Sequence, residues 1–412
     1  EGEAVRAMTD EIANLRIGWL YALELLRIPE IGSYLETLWY FYEFRSWYSE
    51  GCEAVRLARD RLGGLCHAGK ALDAQWRFVL GRSLFQEGWF SFRLGHYQES
   101  KKLASDGLIH LQALPEAKRD LEFTLNLLGL VDWHLGDFRE ARRSLERSLS
   151  LNAETGHPIT GSVALRLLGI VAQVTGEYVE AKSRHLESMA ICQKIDELRG
   201  VANSLMCLGW LAWELEELDE AERLLRSSLE MGQKLQDRFN TALVLVFLGL
   251  VAQSRGEPGK AQRQYRAAVA ITTEIGERFG QALSLIHLAG VESSTAKEHL
   301  VKGLELAMEL QAGPLISLGL TKAARLLAAG KQAEEHRMAI TLSCLAQHHP
   351  ASWKKTKDDA KAILSRLQDQ LPASIEDNVG NGVPDISAAA ETWLRTVKYD
   401  VTPQRRSMET RP

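Results

Sequence analysis

One dipeptide returns every 40 residues: Leu128-Gly129, Leu168-Gly169, Leu208-Gly209 and Leu248-Gly249, with Leu288-Ala289 continuing the series. Behind each lies a second landmark, Gly136-Asp137-Phe138, Gly176-Glu177-Tyr178, Glu216-Glu217-Leu218 and Gly256-Glu257-Pro258, and then a third, Ala141, Ala181, Ala221 and Ala261. Three landmarks held in one register over four units mark an internal structural repeat. Between the first and second, apolar residues fall at helical intervals, as in Leu125, Leu128, Val131 and Leu135. The Gly-acid-aromatic step reads as a tight turn between two helices. Small residues at Gly129 and Ala141 let those helices approach closely, and the second helix continues through Leu145 and Leu149, or Leu225 and Leu229, or Tyr265 and Val269. Each hairpin is apolar on more than one side, so it buries itself only by stacking on its neighbours.

Weaker copies extend the array in both directions. Upstream, Glu87-Gly88 and Gly95-His96-Tyr97-Gln98-Glu99 match the landmarks, and residues 34–42 and 53–62 form a further pair. Downstream, 296–310, 316–329 and 332–347 read as shortened units, and 354–370 reads as a capping helix with a charged outer face. After Pro372 the composition turns to Gly, Asn, Asp and Pro, which predicts a loose tail over 371–412 with a short helix at 386–397. The expected organisation is a junction helix in 1–30, a helical array over 31–370 and that tail.

The Leu-Gly, then Gly-[Asp/Glu]-[Phe/Tyr]-x-Glu-Ala pattern resembles the tetratricopeptide repeat. A 40-residue period is longer than that family's usual 34 and overlaps the HEAT range, but the turn-plus-alanine signature belongs to the tetratricopeptide family. The resemblance implies an all-α, right-handed superhelical solenoid of antiparallel helix pairs. The extra residues are expected to lengthen the helices and the loops between units, such as 155–158 and 276–279.

Composition is that of a folded chain. The 412 residues are 45% hydrophobic and 25% charged with a net charge of −5, which gives no general electrostatic reason to bind nucleic acid or an anionic membrane. No uninterrupted apolar run reaches the roughly 18 residues a bilayer requires. Five scattered cysteines without a CxxC pair fit free thiols in a reducing cytosol. Gly64-Leu65-Cys66-His67-Ala68-Gly69-Lys70 spells a phosphate loop, yet a helix precedes it and Ala71 stands where Ser or Thr would hold magnesium. His348 and His349 are adjacent, so on a helix their side chains point apart, and no metal-ligand spacing occurs. No catalytic residue, cofactor or metal is expected, and an enzyme would need a constellation formed across repeats.

In tetratricopeptide arrays the first helix of each pair lines the concave surface. Counting from the Leu-Gly glycine along that helix, the resemblance picks out a groove of Phe85, Trp89, Phe92, Asn126, Trp133, Arg166, Gln173, Met206, Trp210, Trp213 and Gln253. Aromatics, an arginine and amides along one face suit a peptide, a partner helix or a flat polar ligand. An aromatic stripe at helical spacing is equally the pattern of core packing between units. The rungs do not resemble the version of the repeat that clamps a carboxylate with Lys, Asn and Arg; Asn126 and Arg166 match it only in part.

The opening stretch carries a second resemblance. Glu11, Asn14-Leu15-Arg16, Ala22 and Glu24 are similar to a helix that follows the winged-helix segment in bacterial signal-transduction ATPases with numerous domains (STAND proteins), with Gly18 replacing a usual alanine. Trp47-Tyr48-Ser49-Glu50-Gly51 also resembles the opening of their repeat arrays, and 323–330 with His348-His349-Pro350 resembles their end. The resemblance implies a cytoplasmic sensor arm whose ATPase domain lies upstream in the same polypeptide, an expectation that fits a chain beginning at Glu1 and not Met. A protein or small-molecule effector is expected in the groove, with the isolated array monomeric. The alternative is a stand-alone adaptor joining other proteins.

Overall fold

The computed structural model describes residues 9–67, 73–368 and 385–406. Within them the chain is helical throughout, without a strand, and consecutive helices pack as pairs. Residues 68–70 of the loop resembling a phosphate site lie outside the described residues, as do 1–8 of the junction and 369–384 and 407–412 of the tail.

The chain divides into two compact units, one of residues 1–133 with 139–168, the other of 134–138 with 169–412. The first contains α1 (Ile12–Glu24), α2 (Ile28–Arg45), α3 (Tyr48–His67), α4 (Ala74–Arg93) and α5 (Tyr97–Leu111), followed by a 3-10 turn at Pro115–Ala117. It also holds most of α6 (Lys118–Leu135) and α7 (Phe138–Thr155) and the first part of α8 (Pro158–Thr175). The second holds the rest of α8 and then α9 (Tyr178–Lys194), α10 (Leu198–Glu214), α11 (Leu218–Lys234), α12 (Arg238–Ser254) and α13 (Pro258–Glu274). It continues through α14 (Arg278–Leu288), α15 (Ala296–Glu309), α16 (Gly313–Leu327), α17 (Ala333–His348), α18 (Lys354–Gln368) and α19 (Ile386–Arg406).

The repeat writes itself into the backbone as a left-handed residue every 20 positions: Gly136, Gly156, Gly176, Asp196, Glu216, Gln236, Gly256 and Gly276 all have positive φ. From Gly176 to Gly276 each ends a helix in the same way. At Gly176 the backbone N–H reaches Gln173 O at 3.0 Å and the next N–H, of Glu177, reaches Ala172 O at 2.7 Å. That is the Schellman pattern, which satisfies carbonyls the helix leaves without a partner. After Asp196, Gln236 and Gly276 comes an acid that caps the next helix: Glu197 accepts from Gly200 N, Asp237 Oδ1 from Asn240 N at 2.9 Å, and Glu277 Oε2 from Gly280 N at 2.7 Å.

The Leu-Gly glycines do what their spacing suggests. A Cβ on Gly129 would collide with Leu145, on Gly169 with His185, on Gly209 with Leu225 and on Gly249 with Tyr265. In each case the blocking residue lies 16 positions on, at the same register of the second helix. Within the second unit the first helices also pack side by side, α10 on α12, α12 on α14, α14 on α16 and α16 on α18, and so form a continuous inner face.

The short helix expected at 386–397 falls within α19. α19 continues to Arg406, and Ile386, Ala390, Trp393, Leu394 and Val397 are buried, an i, i+4, i+7, i+8 stripe packed on α15, α16 and α17. One helix, Pro158–Thr175, is long and apolar enough to cross a bilayer by length and composition, but 72% of that stretch is buried among the other helices.

Candidate binding face

The expected groove residues divide between the two units. Phe85, Trp89, Phe92, Asn126, Trp133 and Arg166 belong to the first; Gln173, Met206, Trp210, Trp213 and Gln253 to the second.

In the first unit the aromatics are packing residues. Trp39, which the sequence pattern did not single out, stands edge-on to Phe85 at 5.7 Å, to Trp89 at 6.3 Å and to Phe123 at 5.7 Å. Phe85 and Phe92 are buried, and the half-buried Trp89 donates its Nε1–H to Glu43 Oε2 at 2.8 Å. Asn126 is buried and donates to Thr160 O at 3.0 Å, which ties α6 to α8. For Phe85, Phe92 and Asn126 the structure therefore replaces the expected open groove with core, because each meets a side chain or carbonyl of a neighbouring helix that covers it. Trp133 and Arg166 are half-buried. Buried carboxylates reinforce this unit: Glu87 is fully enclosed and held by Arg56 Nε at 3.1 Å and Arg59 Nη1 at 3.0 Å. Burial pushes the Glu87 carboxyl above its usual range, against the pull of those two arginines.

In the second unit the inner face is polar and closed at one end. Trp210 is also core and not an open rung: it stacks on Phe247 at 5.1 Å and meets Trp353 edge-on. The corner that carries Trp353 is pressed home by glycines. A Cβ on Gly136 would strike Ala351, one on Gly313 would lie 2.9 Å from both Ala351 Cβ and Leu135 O, and one on Gly176 would lie 3.2 Å from Lys354. Met206 is buried beside Asn240, whose Nδ2 approaches its sulfur at 3.9 Å.

Next to that corner lies a partly exposed group of polar side chains. Trp213 is half-buried, donates Nε1–H to Ser254 Oγ at 2.9 Å and has the Lys355 ammonium 5.9 Å from its ring centroid. Glu214 follows it in sequence with Oε2 enclosed and without a hydrogen-bond partner. Burial pushes the Glu214 carboxyl up to about 7, opposed by nearby Gln173, Tyr178, Lys355 and Trp210. Gln173 is fully buried, its amide beside the Glu214 carboxyl. Tyr178, also driven by burial and then by the Glu214 and Asp358 charges, is pushed up to about 12 and stays protonated at neutral pH.

Further along the face, α12, α14 and α16 bring Gln253, His287 and Lys322 together. Burial drives the His287 imidazole well below its usual range, so it is neutral; it stacks on Tyr265 at 5.7 Å. Lys322 is buried at 8% exposure. Burial, then the nearby Arg325 and Lys355 charges, hold its ammonium down to about 8 against the pull of Asp359. Glu214, Lys322, Trp353 and Lys355 were not among the residues picked from the sequence. A lone lysine inside the apolar run Leu315–Leu327 was a legible signal; Glu214 had none, since its neighbours come from three other helices.

Chemically, the face offers aromatic surface, a carboxyl poised near neutrality, amides and buried cations. Among the described residues no cluster of His, Cys, Asp or Glu is arranged to hold a metal ion.

The comparisons with known proteins agree on the repeat. Residues 162–234 and 124–147 match two tetratricopeptide repeat family models. No curated protein matches the chain in sequence. Among solved structures, it is similar to a Rap protein complexed with competence and sporulation factor, at 12% identity and a TM-score of 0.56 over 88% of this chain and 98% of that one. The Rap conjugation gene regulator of plasmid pLS20, in complex with the Phr* peptide, gives the same identity and score over 83% and 96%. A STAND protein with a tetratricopeptide repeat sensor from Pyrococcus horikoshii aligns at 14% identity and a TM-score of 0.43, over 85% of this chain and 54% of that one. At these identities the likeness concerns the fold.

Proposed function

We propose that this chain, a tetratricopeptide protein-interaction array, is a non-catalytic recognition domain that takes a peptide or protein segment on the inner face of its second unit. The observation that carries this reading is the polar cluster beside half-buried Trp213, where the raised Glu214 carboxyl sits among Gln173, Tyr178 and Lys355. A ligand there meets an aromatic anchor in Trp213 and a polar group beside it. One Rap protein of similar fold is in complex with the Phr* peptide, which makes a peptide the reasonable first probe.

The resemblance of the opening helix extends this proposal to a sensor arm of a STAND ATPase in a reducing, cytoplasmic setting. Asn14 donates to Glu11 Oε2 at 2.6 Å, so two residues of the resembling motif are paired, and Trp19, Ala22 and Leu23 bury α1 in the core of the first unit. A helix anchored in this way would transmit strain between the array and a domain ahead of it. Cys52, Cys192, Cys207 and Cys344 are buried and, among the described residues, in no disulfide.

The test is a random-peptide display selection on the full chain, with each enriched peptide re-measured against Trp213→Ala and Glu214→Ala variants of unchanged helical content. Peptides that lose tenfold or more in affinity on either variant support the reading. A selection in which every binder ignores both changes removes this face from recognition. The sensor-arm extension is tested separately, by reading the coding sequence ahead of the Glu1 codon: a continuous frame encoding a phosphate loop and winged helix supports it, and a start or stop codon there ends it.

A further inference from the structure

The second unit contains a buried ammonium with no counterion of its own. Lys322 projects from α16 toward the end of α14, and its charged neighbours are Arg325, Lys355 and Asp359. The one acid near it, Asp359, is engaged by Arg325 at 3.4 Å. The carbonyls at the end of α14 are also taken, since Gly290 N donates to His287 O at 2.9 Å and Val291 N and Glu292 N both reach Leu288 O at 3.1 Å. Glu292, the next acid along, is held by Arg266 and lies 3.3 Å from His299 Nε2. Lys355 and Arg325 add positive charge on the same side, and His287 adds none. A buried charge left uncompensated is costly, and a bound anion is the simplest compensation.

A second donor is aimed at the same spot. Tyr265 is fully buried and its hydroxyl is held in the protonated form by that burial, so it donates to Gln253 Oε1, 3.1 Å away. With its oxygen fixed, the Gln253 amide turns its Nε2 the other way, toward Gly290. A Cβ built on Gly290 would lie 3.5 Å from Gln253 Nε2 and 3.9 Å from Lys322 Nζ. Glycine therefore leaves open the space between two convergent donors, and Gly290 itself is exposed, so the space communicates with solvent.

We propose that Lys322 and Gln253, with the gap at Gly290 between them, form a binding site for a carboxylate. The two donors are close enough to reach the two oxygens of one carboxylate at ordinary hydrogen-bond lengths. A phosphate dianion would leave oxygens unserved by a single ammonium and a single amide. The inference deepens the reading of this inner face as a recognition surface and rests on it: it makes the ligand acidic, and it places the acidic group beyond Trp213, next to Ser254 and Gln253. The carboxylate belongs either to an acidic residue or terminus of a peptide or to a small free organic acid.

The experiment is isothermal titration calorimetry on the full chain in 0.15 M salt, about physiological ionic strength, with three probes: succinate, an acetylated Glu-containing pentapeptide and inorganic phosphate. Expected is saturable binding of a carboxylate probe that weakens roughly tenfold or more in Lys322→Met, consistent with loss of a charge-assisted hydrogen bond. Gly290→Ala, an exposed change that fills the gap without removing a charge, weakens it too. A pentapeptide that binds more tightly than succinate assigns the carboxylate to a polypeptide; equal affinity assigns it to a small acid. Absence of binding by both carboxylates, equal binding by wild type and both variants, or preference for phosphate overturns the proposal. The display selection keeps the outcomes separable, because peptides dependent on Trp213 or Glu214 can be found even if the carboxylate site fails.

Discussion

Trp353 stands edge-on to Trp210, ring centroids 6.1 Å apart at 64°, although 143 residues separate them in the chain. The contact joins the loop before α18 to the first helix of the central repeat, and it removes from solvent a tryptophan that the repeat register places on the inner face. It closes one end of that face and leaves Trp213, Glu214 and the Lys322 region as its accessible part.

Trp353→Ala is expected to destabilise the second unit by about 2–4 kcal/mol, since a buried indole loses its packing and Trp210 is left against a cavity. Urea unfolding followed by circular dichroism measures the loss. Acrylamide quenching of the remaining tryptophans is expected to rise, and unchanged quenching would show that Trp210 is covered by something other than Trp353.

Glu214 gives the second unit a pH signature. Its carboxyl is raised to about 7 in the folded chain, above the value of an exposed glutamate, so the folded state holds the proton more tightly. The resulting stabilisation is full below about pH 4.5 and is lost as pH rises toward 7. Glu214→Gln is expected to flatten stability across that interval and to raise it at pH 8 by about 1–2 kcal/mol. Urea midpoints at pH 5 and pH 8, compared between wild type and variant, decide the matter; parallel curves reject it.

Lys322 acts with the opposite sign. Its ammonium is lowered to about 8, below the usual lysine range, so the folded state releases the proton more readily. Its favourable contribution is present above the unfolded lysine value of about 10.4 and disappears as pH falls through 8. At pH 7 Lys322→Met is therefore expected to stabilise the ligand-free chain, by about 1–3 kcal/mol. A saturating carboxylate ligand would reverse that order. A less stable ligand-free Lys322→Met chain would mean that the ammonium has a stabilising partner.

The Leu-Gly glycines predict overpacking. At Gly249 a methyl group would press into the ring of buried Tyr265. Gly249→Ala is expected to cost about 1–3 kcal/mol despite the better helix propensity of alanine. Gly256→Ala, at a left-handed turn with nothing near the added Cβ, tests the other role of glycine through its φ of +73° alone. Comparing the two by thermal unfolding separates steric from backbone cost.

Glu216 occupies a left-handed position where the neighbouring repeats have Gly176 and Gly256. Glu216→Gly is expected to stabilise the chain by about 1 kcal/mol by relieving that conformation. A drop in stability in the same urea experiment would show that the Glu216 side chain contributes more than its backbone costs.

Glu216 also shows why the repeat was legible. The landmark survived the loss of its glycine because the turn is encoded by its place in a register, with an acid after it and a small residue five positions on. The same register located Gly129, Gly169, Gly209 and Gly249, whose role is local: each faces a residue 16 positions away in its own hairpin. Degenerate units lacking the landmarks were still readable as helices from apolar periodicity, which is how 296–310 and 316–329 were placed close to α15 and α16. The tail was less legible, because the weight of Gly, Asn and Pro in 372–384 hid the buried stripe of α19 immediately after it.

The sequence by itself determined where helices begin, end and pair, since those choices rest on interactions within about 20 residues and recur with the period. It did not determine which inner-face side chains are core. Phe85 and Trp210 have the helical spacing of exposed rungs, and side chains distant in the chain, Trp39 and Trp353 among them, help to cover them. Nor did it reveal that Glu214 sits among Gln173, Tyr178 and Lys355, or that Lys322 and Gln253 converge at Gly290. Burial and electrostatic environment depend on neighbours distant in the chain. The repeat fixed the scaffold, and the packing of one repeat against another decided what that scaffold presents.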